Sequence, residues 1–218
     1  MPFYGITLLV SLYKYPKYFD TKLQYLPIIF LYTFLNELLG YLIFSNYNIS
    51  LFKNSTYTKY NIAIYNIYNI IFYLYFIYIF MYYIKDSKIK KNIKHGMMVF
   101  VVVALANPLF QSFSRSSQIG TYVFGGIVLL GSIYSYLKEL PKKQKNKWSK
   151  CLLFWLASGL LIFYIGYIPI KVFRHYFNIP AALENSILRP LHIALIIVCY
   201  VCFTIGFLRM KQRLPEQG

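Results

Sequence analysis

One acidic side chain, Glu37 in the run Leu35-Asn36-Glu37-Leu38-Leu39-Gly40, falls inside a long apolar stretch of this sequence. An ionisable group near the centre of a bilayer costs about 2.5–3.5 kcal/mol on insertion scales, so one kept there faces a bundle interior and has a partner or a task. Glu37 lies eight residues in from Ser45, about 12 Å along a helix that rises about 1.5 Å per residue. Asn69 reaches the same depth counted from Asn61, and Asn66 stands about a turn above it. Asn36 beside Glu37, Asn107 near the end of a further apolar run, and Arg189 and His192 at the start of the last one complete the polar set. With Glu37 charge-paired to Arg189 or hydrogen-bonded to His192, these groups would line one pocket open to the outer face of a membrane. Two other arrangements suit the same residues: a proton or ion path, and separate interhelical hydrogen bonds with no ligand.

The remaining reactive residue types argue against an enzyme. His95, His175 and His192 form no pair at ligand spacing, and neither a zinc-protease helix motif nor a nucleophile elbow occurs. Cys199 and Cys202 share one helix face and Cys151 stands apart, so neither a structural disulfide nor a dithiol metal site is expected. The expectation is a chain with no catalytic residues, no metal and no cofactor.

The elements that position these groups are membrane spans. In 218 residues, 58% are hydrophobic, 13% are charged and 45 are aromatic, 24 of them Tyr. A water-soluble domain averages about 25% charged residues, so this composition points to a multi-pass membrane protein and excludes a large extramembrane enzyme. Runs free of interior Lys and Arg predict an all-α bundle in a single transmembrane domain, residues 1–218, with seven spans at about 2–19, 24–45, 61–84, 96–113, 118–137, 151–170 and 187–208. The first is short and spans only if Lys14 and Lys17 snorkel. Pro108 after Asn107 predicts a kink or an early end to the fourth. In the third, Asn61, Tyr65, Tyr68 and Asn69 follow helical spacing, a polar stripe that should turn inward. Gly131-Ser132-Ile133-Tyr134-Ser135 offers small residues four apart, suited to a helix neighbour or a second copy of the chain.

Basic residues set the orientation. Lys14, Lys17, Lys22, Lys85, Lys88, Lys90, Lys91, Lys94, Lys138, Lys142, Lys143, Lys145, Lys147, Lys150, Arg209, Lys211 and Arg213 fall on one side of the seven-span layout. Only Lys53, Lys59, Arg115, Lys171, Arg174 and Arg189 fall on the other. The positive-inside rule then places the amino terminus outside and the carboxyl terminus inside. Lys90, Lys91, Lys142, Lys143, Lys145 and Lys147 are expected to contact anionic lipid of the inner leaflet, or a cytosolic or membrane protein partner. Nucleic acid is disfavoured, because the aromatics that would stack bases lie mostly in the spans. Heavy use of Ile, Asn, Lys and Tyr suggests AT-rich coding and hence a bacterial cytoplasmic (inner) membrane.

Phe34-Leu35-Asn36-Glu37-Leu38-Leu39-Gly40 in the second span, Tyr65-Asn66-Ile67-Tyr68-Asn69 in the third and the Lys-rich inner connectors resemble a family of small, uncharacterised bacterial seven-helix integral membrane proteins. That resemblance implies the topology and no reaction or ligand. The functional expectation is an accessory or sensing protein with an outward polar pocket around Glu37. An oligomeric pore or membrane-perturbing effector, for example in phage defence, is the alternative, and a small-solute transporter comes third.

Overall fold

Long apolar runs punctuated by Pro, Asp and Lys become helices because a helix satisfies its own backbone hydrogen bonds without water. The computed structural model describes residues 1–45, 55–140, 148 and 150–210. Among the described residues there are seven helices of 13 or more residues: α1 Pro2–Lys14, α2 Leu26–Ser45, α3 Ser55–Tyr83, α4 Ser87–Ala106, α5 Ile119–Glu139, α6 Leu152–Tyr176 and α7 Arg189–Arg209. Among the described residues, five stretches are long and apolar enough to cross a membrane: Tyr60–Tyr83, Ser87–Leu109, Ile119–Glu139, Leu152–Tyr176 and Ala181–Arg209. Helix α2 has 20 residues and α1 has 13.

Several boundaries differ from the sequence expectation. Helix α1 stops at Lys14 and passes into a tight turn, Tyr15–Lys17, around Pro16, instead of running on toward Phe19. Helix α4 begins at Ser87, not near Gly96, because Asp86 caps it by accepting from the amides of Lys88 (2.7 Å) and Ile89 (3.2 Å). Its other end comes at Ala106, where Asn107–Leu109 forms a 3-10 turn containing Pro108. Helix α6 continues past Pro169 to Tyr176, so Lys171 and Arg174 are helical residues and not part of a connector. A short turn, Ala181–Leu183, and a wide turn, Glu184–Leu188, lead into α7.

Packing runs α1–α2–α3–α5–α6–α7 and back to α1, a closed ring, with α4 outside it against α3 and α5. Glycines let α6 and α7 come closest: a Cβ at Gly159 would stand 2.9 Å from the Cys199 carbonyl oxygen, and one at Gly206 2.7 Å from the Trp155 Cβ. By contrast Gly131 has no atom within 4 Å of its would-be Cβ, so the small-residue signal there does not serve a neighbouring helix among the described residues. Apolar side chains such as Leu9, Val102, Leu105, Ile127 and Leu208 face outward, whereas Thr7, Ser11, Thr33, Thr121 and Ser132 are buried. Apolar side chains on the outer surface suit a lipid solvent. Several of these buried hydroxyls bond within or between helices: Ser132 to the Val128 carbonyl (2.8 Å), Thr7 with Thr204 (2.9 Å), and Thr33 with Tyr68 (2.7 Å); the Thr121 hydroxyl has no partner among the described residues.

One end of the bundle carries Lys17, Lys85, Lys90, Lys91 and Arg209. There Glu139 accepts from the amides of Lys85 (2.6 Å) and Asp86 (3.1 Å), Lys17 Nζ donates to the Met210 carbonyl (3.4 Å), and the Arg209 guanidinium lies 5.4 Å from the Trp155 ring centroid. Lys90 and Lys91 sit at this end in the first turns of α4, half-buried and exposed respectively. Lys142, Lys143, Lys145 and Lys147 lie outside the described residues.

Candidate functional site

The opposite half of the ring encloses a cavity of about 330 Å³, within the size range of small-ligand sites. All six ring helices contribute to its wall and α4 contributes nothing. The wall is mostly aromatic, with seven tyrosines, and its ionisable members other than Tyr and Cys are Glu37, Lys171 and His192.

On one wall, α2 presents Glu37, whose Oε1 accepts from the Tyr65 hydroxyl of α3 at 2.8 Å. Gly40, one turn on from Glu37, makes room for that hydroxyl: a Cβ there would be 3.4 Å from it. Tyr65 is also within 3.4 Å of the Asn36 carbonyl, so α2 and α3 are joined at this depth by one phenol. No cation of the described residues lies within 4 Å of Glu37, and the Met1 amine acts on it only from beyond contact distance. Tyr4 and Tyr68 complete this wall, the latter held by its bond to Thr33.

The facing wall is basic. Lys171 Nζ lies 4.1 Å from the Tyr122 ring centroid, and the His192 ring stacks on Tyr167 at 4.0 Å and 12°. Arg174 stands next to them, its Nη1 3.5 Å from His192 Nδ1. Its charge is already matched: Nε and Nη2 donate to the two oxygens of Glu184 at 3.0 and 2.6 Å, a bidentate pair that fastens α6 to the turn before α7. Lys171 has no such carboxylate among the described residues. Tyr164, Tyr167 and Lys171 fall at i, i+3 and i+7 of α6, one helix face.

The sequence-derived polar set thus divides. Glu37, Asn69 and His192 line the cavity. Asn66 does not: its Nδ2 donates to the carbonyls of Phe113 (2.8 Å) and Ser116 (3.0 Å), and its Oδ1 accepts from the Gln118 amide (3.2 Å), locking the α4–α5 connector. Asn107 belongs to that same lock, donating to Gln118 Oε1 at 2.6 Å, while Gly120 leaves space for its side chain. Asn36 is buried beside Glu37 but outside the cavity wall, its Nδ2 without a hydrogen-bond partner among the described residues. Arg189 is exposed and off the cavity, so the partner of Glu37 is Tyr65 and neither Arg189 nor His192. Charge alone places Lys171 in a connector; its register with Tyr164 and Tyr167 is the sequence signal for the cavity-facing helix position.

Comparison with family models, curated proteins and solved structures returns no match to this chain.

Proposed function

We propose that this chain is a sensing or accessory protein of the bacterial inner membrane that takes a small ligand into the cavity between Glu37 and Lys171. In this reading all seven helices span, the amino terminus is outside and the carboxyl terminus inside, so the cavity opens outward. The basic connectors, Lys90 and Lys91 with the 142–147 segment, touch anionic inner-leaflet lipid or a protein partner. The observation that carries the reading is the gathering of a carboxylate, an ammonium, an imidazole and the Asn69 amide in one aromatic-lined space. Those groups come from opposite walls, so a ligand bridging them would draw α2–α3 and α6–α7 together. That movement couples binding to the basic end through α7, whose last residue is Arg209.

A conducting path through one bundle is the poorer fit. Toward the basic end the interior is filled by Phe76, Ile77, Phe80, Leu129, Ile133 and Leu156, each with no exposed surface. Cells expressing the protein are therefore expected to keep a normal membrane potential, with wild type and Glu37→Gln indistinguishable by a potential-sensitive dye at equal membrane abundance. Depolarisation that depends on Glu37 would instead establish the pore. The pocket itself is tested by Ile196→Trp, which puts an indole into the cavity wall. Wild type incubated with a metabolite extract should retain a compound, seen by mass spectrometry, that folded Ile196→Trp does not; identical retention would sink the pocket.

A further inference from the structure

The two ends of the cavity carry opposite charges that do not meet. Glu37 is held by a neutral phenol, Lys171 rests on an aromatic face, and no ion pair joins them among the described residues. Arg174 and Glu184 neutralise each other, so the wall offers one carboxylate and one ammonium with no counter-charge in contact among the described residues. We propose that the ligand is a zwitterion: an organic ammonium lies against Glu37 and an anionic group, carboxylate or phosphate, against Lys171. This deepens the small-ligand reading above and rests on it.

Charge separation explains why one molecule should carry both groups. A buried charge without a counter-charge is unfavourable, and a ligand of a single sign would match one wall while leaving the other unmatched. A net-neutral ligand with separated charges matches both. The chemistry of the Glu37 wall selects the cation. A hard metal ion wants several oxygen ligands, whereas Glu37 is the one carboxylate lining the cavity, and no cluster of three His, Cys, Asp or Glu exists among the described residues. Tyr4, Tyr65 and Tyr68 instead line the same space as the carboxylate, and aromatic walls are where alkylated ammonium groups bind through cation–π attraction. At the other end Lys171 supplies a point charge and Asn69 and His192 supply polar groups to the same space, with no requirement for planar bidentate geometry. Either a free solute or the headgroup of a lipid has this chemistry.

The test is calorimetric titration of the full chain, purified in a maltoside detergent, with phosphocholine, choline, inorganic phosphate and 3,3-dimethylbutanol, the uncharged isostere of choline. Phosphocholine should bind at least about tenfold more tightly than the other three probes. Glu37→Gln and Lys171→Gln should each weaken phosphocholine by about tenfold or more, and Lys171→Gln should leave choline within about twofold. The probe series on wild type stands without any variant, so a substitution that fails to fold does not remove the test. Binding of 3,3-dimethylbutanol as tight as that of phosphocholine overturns the zwitterion while leaving a pocket. Absence of binding by all four probes also overturns it, and the pocket then stands or falls on the Ile196→Trp comparison. In nanodiscs, phosphocholine affinity lost in phosphatidylcholine but kept in phosphatidylglycerol assigns a lipid headgroup; equal affinity in both assigns a free solute.

Discussion

Gly159→Ala is expected to destabilise the bundle while the same change at Gly131 stabilises it. Both sites are within helices, where replacing Gly by Ala contributes about 1 kcal/mol of helix propensity in favour of the variant. At Gly131 nothing opposes that gain, since no atom lies within 4 Å of the new methyl group. At Gly159 the methyl would meet the Cys199 carbonyl oxygen at 2.9 Å, Phe203 at 3.0 Å and the Cys202 Cβ at 3.1 Å. A backbone oxygen cannot rotate aside, so α7 must move away from α6 along their whole contact. Overpacking of this kind costs about 1–3 kcal/mol, and loss of the close fit adds to it. The propensity gain is common to both variants and cancels, so they should lie about 1–3 kcal/mol apart in unfolding free energy. Thermal unfolding in detergent, read on both proteins in parallel, checks this. Equal midpoints would mean that α6 and α7 are not seated on Gly159.

Asn66→Leu is expected to lower stability by roughly 3 kcal/mol and to loosen the α4–α5 connector without touching the cavity. The side chain is 3% exposed and serves two carbonyls and one amide, those of Phe113, Ser116 and Gln118. Leucine keeps the volume and strands all three. A buried polar group left unpaired costs about 1–3 kcal/mol, and partial access to water at Phe113 and Ser116 keeps the sum near the lower end. Hydrogen exchange should rise at the amides of Gln118 and Ile119, the latter bonded to Gln111 Oε1 (3.1 Å) in the same lock. Asn69→Leu, three residues on, should leave that exchange unchanged, because Asn69 faces the cavity. Protection lost equally in both variants would contradict the division of the two asparagines.

That division shows how far residue types and spacing carry. Asn66 and Asn69 sit about 60° apart on an ideal helix of about 3.6 residues per turn, so periodicity puts both on the inward stripe of α3. What separates them is depth: Asn66 is high enough to meet the connector that ends at Gln118, and Asn69 is low enough to face empty space. The connector's path depends on Pro108 ending α4 and on the Asn107–Gln118 bond, neither of which is local to α3. Arg189 and His192 show the same limit on α7. Both begin the helix, but only His192 turns toward Tyr167.

Charge hid the most informative residue. Runs free of Lys and Arg end the expected span at Ile170, just before Lys171, and Pro169 inside the helix also removes one backbone hydrogen bond there. The apolar face of α6 packed against α5 and α7 outweighs that loss, and the helix runs on to Tyr176. Lys171 thereby moves from a solvated connector to the cavity wall, which changes a single buried carboxylate into a site with two opposed charges.

The membrane character, the succession of apolar runs and the place of Glu37 inside one of them were legible in the sequence. Each depends on composition within a turn or two of the chain, where the free energy of transferring side chains between water and lipid is already decided. The closed ring of six helices, the lock around Asn66 and the cavity shared by Glu37, Asn69, Lys171 and His192 were decided only by the tertiary structure. Those features require side chains from helices distant in sequence to converge, and their direction is set by which neighbour each helix packs against, from the phenol of Tyr65 reaching Glu37 to the contact between Gly159 and the backbone of α7.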